Sequence, residues 1–311
     1  MSTAPHEKKK RILPPVTLAE SYQLCRDRVI RQLGDFRWMA GNLDAATKAH
    51  LAAVLALATR TGKLCDIHVA RAARLEMLDD LREDFRDNFM EEETADQFPA
   101  LLDTMRRHQI PQQYLHDIVA AADMCVRIDR FTSFDQWLQL GCRLGGATMV
   151  AAVLVVGVEK TGFEEDALKL GQAIYLTYLL NDIADEIQKL EYFMPVEDIE
   201  ELNVDLSRHN PARPDRAMIR LIRLQVARIE QLFYEGGPLL NYLALDGRRI
   251  LKTIVSVSWN MLMKIKQEPA KVLLASQELS PAERFRFRLK HLMGLEGGVV
   301  VLPADADHDH H

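Results

Sequence analysis

The sequence predicts an all-α protein folded as one domain. Three observations carry that prediction: apolar residues recur at helical spacing in segment after segment from residue 17 to 293, no strand hairpin interrupts them, and no Gly/Ser linker divides the middle of the chain. The 311 residues include only 15 Gly and 12 Pro, so breakers are too sparse for a loop-dominated protein.

The helical segments are 17–33, 44–61, 70–90, 97–108, 111–128, 133–158, 164–191, 214–235, 238–267 and 281–293. Pro111, Ser133, Glu164, Pro214 and Pro281 fall at or near segment starts, where capping hydroxyls, first-turn acids and N1 prolines are favoured. The apolar run from Leu144 to Val158 is shorter than the roughly 20 residues a membrane span needs and reads as a buried helix. Residues 1–16 are polar, basic and proline-bearing, and 294–311 end in a His/Asp tract; both are expected to be flexible tails.

Composition narrows the function. With 48% apolar and 27% charged residues the chain is neither disordered nor a disulfide scaffold. Its formal charge of -6 has the wrong sign for holding nucleic acid by counterion release. Cys25, Cys65, Cys125 and Cys142 show no CxxC spacing, so zinc is not indicated and a reducing compartment is expected. The N-terminus has no apolar stretch behind its basic run, which leads to a cytoplasmic expectation, with no transmembrane segment and room for peripheral membrane contact. Walker, GxGxxG, HExxH and GxSxG patterns are absent.

The most informative stretch is GQAIYLTYLLNDIADEIQKLEYFMP, residues 171–195. On a helical wheel Tyr175, Tyr178, Asn181, Asp182, Asp185, Glu186 and Lys189 share one arc, with leucine, isoleucine and alanine opposite. A solvated amphipathic face is the plain reading. Two tyrosines on a polar face, and carboxylates spaced one turn apart, favour a hard cation shared with a substrate phosphate. A second acidic run, LDDLREDFRDNF around Asp80 and Asp84, alternates with Arg82 and Arg86 as a salt-bridged surface does. The ten histidines, among them His68, His108 and His116, show no ligand spacing.

The stretch NDIADEIQKLEYFMPVEDI resembles the second acidic motif of the squalene/phytoene synthase family, and similarity to that family extends over roughly residues 17–290. The resemblance implies an isoprenoid-synthase-like helical bundle around a central cavity. It also implies Mg²⁺ holding a prenyl diphosphate, with the run Met149–Val156 helping to line the cavity. Asp182, Asp185 and Glu186 are then the metal-binding and catalytic carboxylates, and Arg60, Lys63, Arg143, Tyr175, Tyr178 and Asn181 are expected at the substrate.

Several positions depart from the family pattern. Where two adjacent aspartates and a third are expected after Arg60, this chain has Lys63 and Ile67 on the corresponding face, with Asp66 off it. A tyrosine is replaced by Cys142, Tyr175 and Tyr178 replace Gln and Asn, and Leu274–Ala275–Ser276–Gln277 replaces a basic cluster. Two diphosphates need two acidic motifs, so the expected activity is prenyl transfer or terpene cyclisation on a single prenyl diphosphate. The alternative is a non-catalytic scaffold or assembly factor in which Lys63 and Lys189 neutralise the old site.

Overall fold

The computed structural model describes residues 16–33, 36–66, 68–90, 98–189, 194–208 and 210–293. The expected tails therefore lie largely outside the described residues. Helices account for the regular elements of the described residues, and a lone antiparallel bridge joins Val158 to Leu243.

The chain opens with α1 (Leu18–Gln32), started by a capping box between Thr17 and Glu20. After α2 (Phe36–Met39) and a 3₁₀ turn at Ala40–Asn42, Asp44 caps α3 (Ala45–Leu64) by accepting from the N–H groups of Ala46 and Thr47. Then come α4 (Arg71–Met90), α5 (Phe98–His108) and α6 (Gln112–Arg127), the last entered through Pro111. Ser133 caps α7 (Phe134–Gly141), which passes through a π-turn at Cys142–Gly146 into α8 (Ala147–Val156). Gly157, at φ 98°, ends α8 in a conformation that favours glycine.

The second half holds α9 (Glu164–Asn181), α10 (Ile183–Lys189), α11 (Val196–Glu201) and α12 (Arg216–Gly236). A 3₁₀ turn at Gly237–Tyr242 leads to α13 (Leu245–Gln267), α14 (Pro269–Val272) and α15 (Pro281–Met293). Three expected segments need correction. The 133–158 segment contains the π-turn, and the 164–191 segment breaks at Asp182. The 238–267 segment starts as a 3₁₀ turn containing Pro238 and is interrupted where Leu243 turns extended to meet Val158. The short α2, α11 and α14 are below the length at which periodicity can be read.

α9 is the hub, packed against α8, α12, α13 and the π-turn. Close approach there depends on glycine: a Cβ on Gly145 would stand 2.2 Å from Gly171 O and 2.6 Å from Tyr175 Cβ. One large core runs through the bundle, with Trp137, Phe98, Phe131 and Phe233 among its fully buried side chains. The path Phe134–Val156 is, at 23 residues, long and apolar enough to cross a membrane, longer than the 144–158 run suggests. Half of its most apolar window is buried inside the bundle.

Cys65 and Cys125 form a disulfide between the end of α3 and α6, with their Cα atoms 4.9 Å apart, while Cys25 and Cys142 take no part in a disulfide among the described residues. This departs from the expectation of a reducing compartment. A separation of 60 residues leaves no spacing signal in the sequence.

Candidate functional site

The site is built where α9 ends. Asp182 leaves the helical conformation at φ -94°, ψ 7°, and its N–H bonds to the carbonyls of Tyr178 and Leu179. Its own carbonyl accepts from the N–H groups of Asp185 at 3.1 Å and Glu186 at 3.4 Å, so α10 resumes at once. The acidic motif therefore spans a one-residue break between two helices.

The expected polar arc separates into three environments. Asp182 is exposed and Asp185 half-buried, at the rim. Glu186 is buried at 3% exposure, and its charge, with that of Asp182, faces Tyr175. Burial, then these two carboxylates, push the Tyr175 phenol above its ordinary range, which keeps it protonated. Tyr178 is exposed.

Asn181 is not a free substrate contact. It is buried, and its Oδ1 accepts from the Gln277 N–H at 2.7 Å. Next to it, Ser276 Oγ donates to Asp182 Oδ1 at 3.0 Å. Two residues of the segment that replaces the family's basic cluster thus close over the end of α9 and hold it.

Although Asp182 reaches solvent, protein surrounds its carboxylate closely enough that desolvation pushes its pKa up. The Ser276 hydroxyl pulls it down, Asp185 pushes it up again, and smaller opposing contributions come from His68 and Asp66. These last two sit in the turn after α3. His68 Nε2 lies 3.4 Å from Asp185 Oδ2, and Asp66 accepts from the His68 N–H at 2.8 Å.

That turn corrects the helical-face reading of the first motif. α3 ends at Leu64, so Asp66 belongs to a turn directed at the second motif and not to an off-axis helix position. Ile67 lies outside the described residues. Lys63 is exposed and forms no ion pair with Asp182 or Asp185, so this part of the expected neutralisation is not found among the described residues. The Lys189 side chain lies outside those described. His68 was the missed residue; its signal was an acid and an imidazole two residues apart, directly behind the degenerate motif.

One expected phosphate contact is engaged elsewhere. Arg60 Nη2 binds Asp84 Oδ2 at 2.6 Å, linking α3 to α4. This commits Asp84 to structure, as does the pairing of Arg82 with Asp123 for its own run. Arg143 lies in the π-turn beside Cys142 and makes no ion pair with Asp182 or Asp185 among the described residues. His108 meets His50 at 2.9 Å and His116 packs edge-on against Phe85, both ordinary packing roles.

The donor set suits a hard divalent ion: Asp182 and Asp185 at the rim, with Asp66 opposite. Among the described residues no three acid, histidine or cysteine side chains form a ready cage. A magnesium ion needs only one or two carboxylates when water and a substrate's phosphates complete its shell. The residues present therefore fit such an ion.

Comparison with known proteins agrees with this architecture. A phytoene synthase of Arthrospira platensis is 24% identical over 233 residues, covering 70% of this chain and 75% of that protein. A dehydrosqualene synthase crystal structure superposes with a TM-score of 0.76 at 15% identity, over 90% of this chain and 98% of the other. A squalene synthase from Alicyclobacillus acidocaldarius gives 0.70 at 20% identity, over 82% and 96% of the two chains. At those identities the structural matches show the fold alone. The family model for squalene/phytoene synthase, however, matches residues 34–290, most of the sequence and all of the helices that build the acidic rim. The chain belongs to the squalene/phytoene synthase family.

Proposed function

We propose that the chain binds one prenyl diphosphate through a divalent ion at Asp182 and Asp185 and releases its diphosphate, by prenyl transfer or cyclisation. The observation that carries this reading is the convergence of Asp182, Asp185, Asp66 and His68 at one end of the bundle, without an ion pair from Lys63 to either rim aspartate. The bound ion would supply charge stabilisation to the departing diphosphate. Asp182 and Asp185 would hold it. The protonated Tyr175 supports orienting the substrate without becoming a nucleophile. The half-buried Met149, Ala152 and Val156 recur along one side of α8, which supports an apolar wall that excludes water from the reacting chain.

Head-to-head joining of two diphosphates is not supported, because Lys63 replaces a carboxylate and Arg60 is engaged with Asp84. The engagement of Arg60 also favours the second reading, a scaffold that kept the fold and lost the reaction. One experiment separates them: incubation with geranyl, farnesyl and geranylgeranyl diphosphates and Mg²⁺, with assays for released diphosphate and extractable products. Diphosphate release that disappears in Asp182→Ala supports the enzyme. No release with any substrate supports the scaffold, and squalene or phytoene as main product would overturn the single-diphosphate reading.

A further inference from the structure

α15 has an inward and an outward face, and both are defined by contacts. Glu283 faces inward: its Oε2 accepts from Lys264 Nζ of α13 at 2.7 Å and from the Ser280 N–H at 2.7 Å. Phe287, one turn on, is half-buried on the same side. Phe285 and Leu289 therefore point away from the bundle, at 66% and 41% exposure. They are one turn apart and form an apolar stripe.

Arginines flank that stripe on both sides. On the wheel Arg288 and Arg284 lie to one side and Arg286 to the other. Arg284 makes a solvent-exposed pair with Glu278 at 3.3 Å, while Arg286 and Arg288 make no ion pair among the described residues. The one acid of this helix, Glu283, is taken by Lys264. In a chain of net charge -6 this is a local reversal of sign.

We infer that α15 is a membrane-docking helix that seats the protein on an anionic lipid bilayer. Exposed aromatic and aliphatic side chains between arginines match the boundary between acyl chains and negative headgroups, where the rings bury and the guanidinium groups reach the phosphates. The chain that leads into α15 also reaches the site. The segment joining α14 to α15 exposes Leu274 and, two residues later, places Ser276 on Asp182. Docking here would set the acidic rim beside the bilayer. Only this last orientation rests on the proposed function; the docking itself does not.

The test is co-sedimentation of the full chain, without substrate, with vesicles of phosphatidylcholine alone and of equal parts phosphatidylcholine and phosphatidylglycerol. Binding to the mixed vesicles, weakened by salt and absent on phosphatidylcholine, is expected. Phe285→Ser with Leu289→Ser should weaken it at least about tenfold, and each of Arg286→Gln and Arg288→Gln about fivefold. Unchanged helical circular dichroism will show that the variants fold. Binding indifferent to these substitutions, or equal on neutral vesicles, overturns the proposal. So does a dimer in solution that Phe285→Ser dissociates, since a second copy would then cover the stripe. Diphosphate release plays no part in this readout, so loss of the catalytic reading would leave it standing.

Discussion

Ser276 Oγ donates to Asp182 Oδ1 at 3.0 Å, and one residue later the Gln277 N–H donates to Asn181 Oδ1 at 2.7 Å. The segment after α14 is thus tied to the end of α9 at two successive positions. Asn181→Ala should lower the unfolding free energy by about 1–2 kcal/mol, because it leaves the Gln277 N–H without its acceptor. Urea denaturation measures this, and an unchanged midpoint would mean that the segment is held by other contacts.

Asp182→Asn should abolish Mg²⁺-dependent diphosphate release without loss of stability at pH 8. Burial raises the folded-state pKa of Asp182, so its stabilising contribution is full below the unfolded-state value and is lost as pH rises through the folded value. The amide removes that dependence. Thermal denaturation across pH should show a wild-type decline in this window that Asp182→Asn lacks.

Glu283 behaves in the opposite sense. The Lys264 side chain and the Ser280 N–H lower its pKa from 4.5 to about 2. Its contribution to holding α15 is present above the unfolded-state value and fades as pH falls from about 4.5 toward 2. The protection of α15 amides, taken relative to the intrinsic exchange rate at each pH, should fall over that range, and Glu283→Gln should show reduced protection already at neutral pH.

Gly145→Ala should destabilise the protein by about 2 kcal/mol or more, since the new Cβ would meet Gly171 O at 2.2 Å and helix backbones cannot give way as a flexible side chain does. Thermal unfolding reports it. A stability equal to wild type would mean that the π-turn and α9 separate easily.

The Arg60–Asp84 bridge should show a coupling of about 1 kcal/mol in a double-mutant cycle, as expected for a pair with side chains 16% and 36% exposed. Asp84→Ala should leave Mg²⁺-dependent diphosphate release in place. Loss of release in that variant would restore the Asp80/Asp84 run as a metal site.

The helices were legible because their buried stripes repeat at 3.6 residues, and Thr17, Asp44 and Ser133 mark starts with side-chain caps. The acidic motif was legible for the same reason. What the sequence could not show were events of one residue or of long range. The break at Asp182 changes no periodicity, yet it separates the buried Glu186 from the rim. The end of α3 at Leu64 sends Asp66 and His68 to Asp185 and Asp182, a placement that an unbroken wheel assigns to the wrong side. Arg60 looked available because Asp84 lies 24 residues away.

The turn carrying Asp66 and His68 hangs from two fastenings. Cys65, just before it, is bonded to Cys125, and Arg71, just after it, pairs with Asp129. Both anchor points fall within one stretch at the end of α6, four residues apart. The turn therefore moves with α6, as a bracket moves with its post, while Asp182 and Asp185 move with α9. The gap between the two halves of the rim is then a measure of how α6 stands relative to α9. The π-turn and α8 lie against both α6 and α9, so their packing sets that gap, and with it the width of ion that the proposed site would accept.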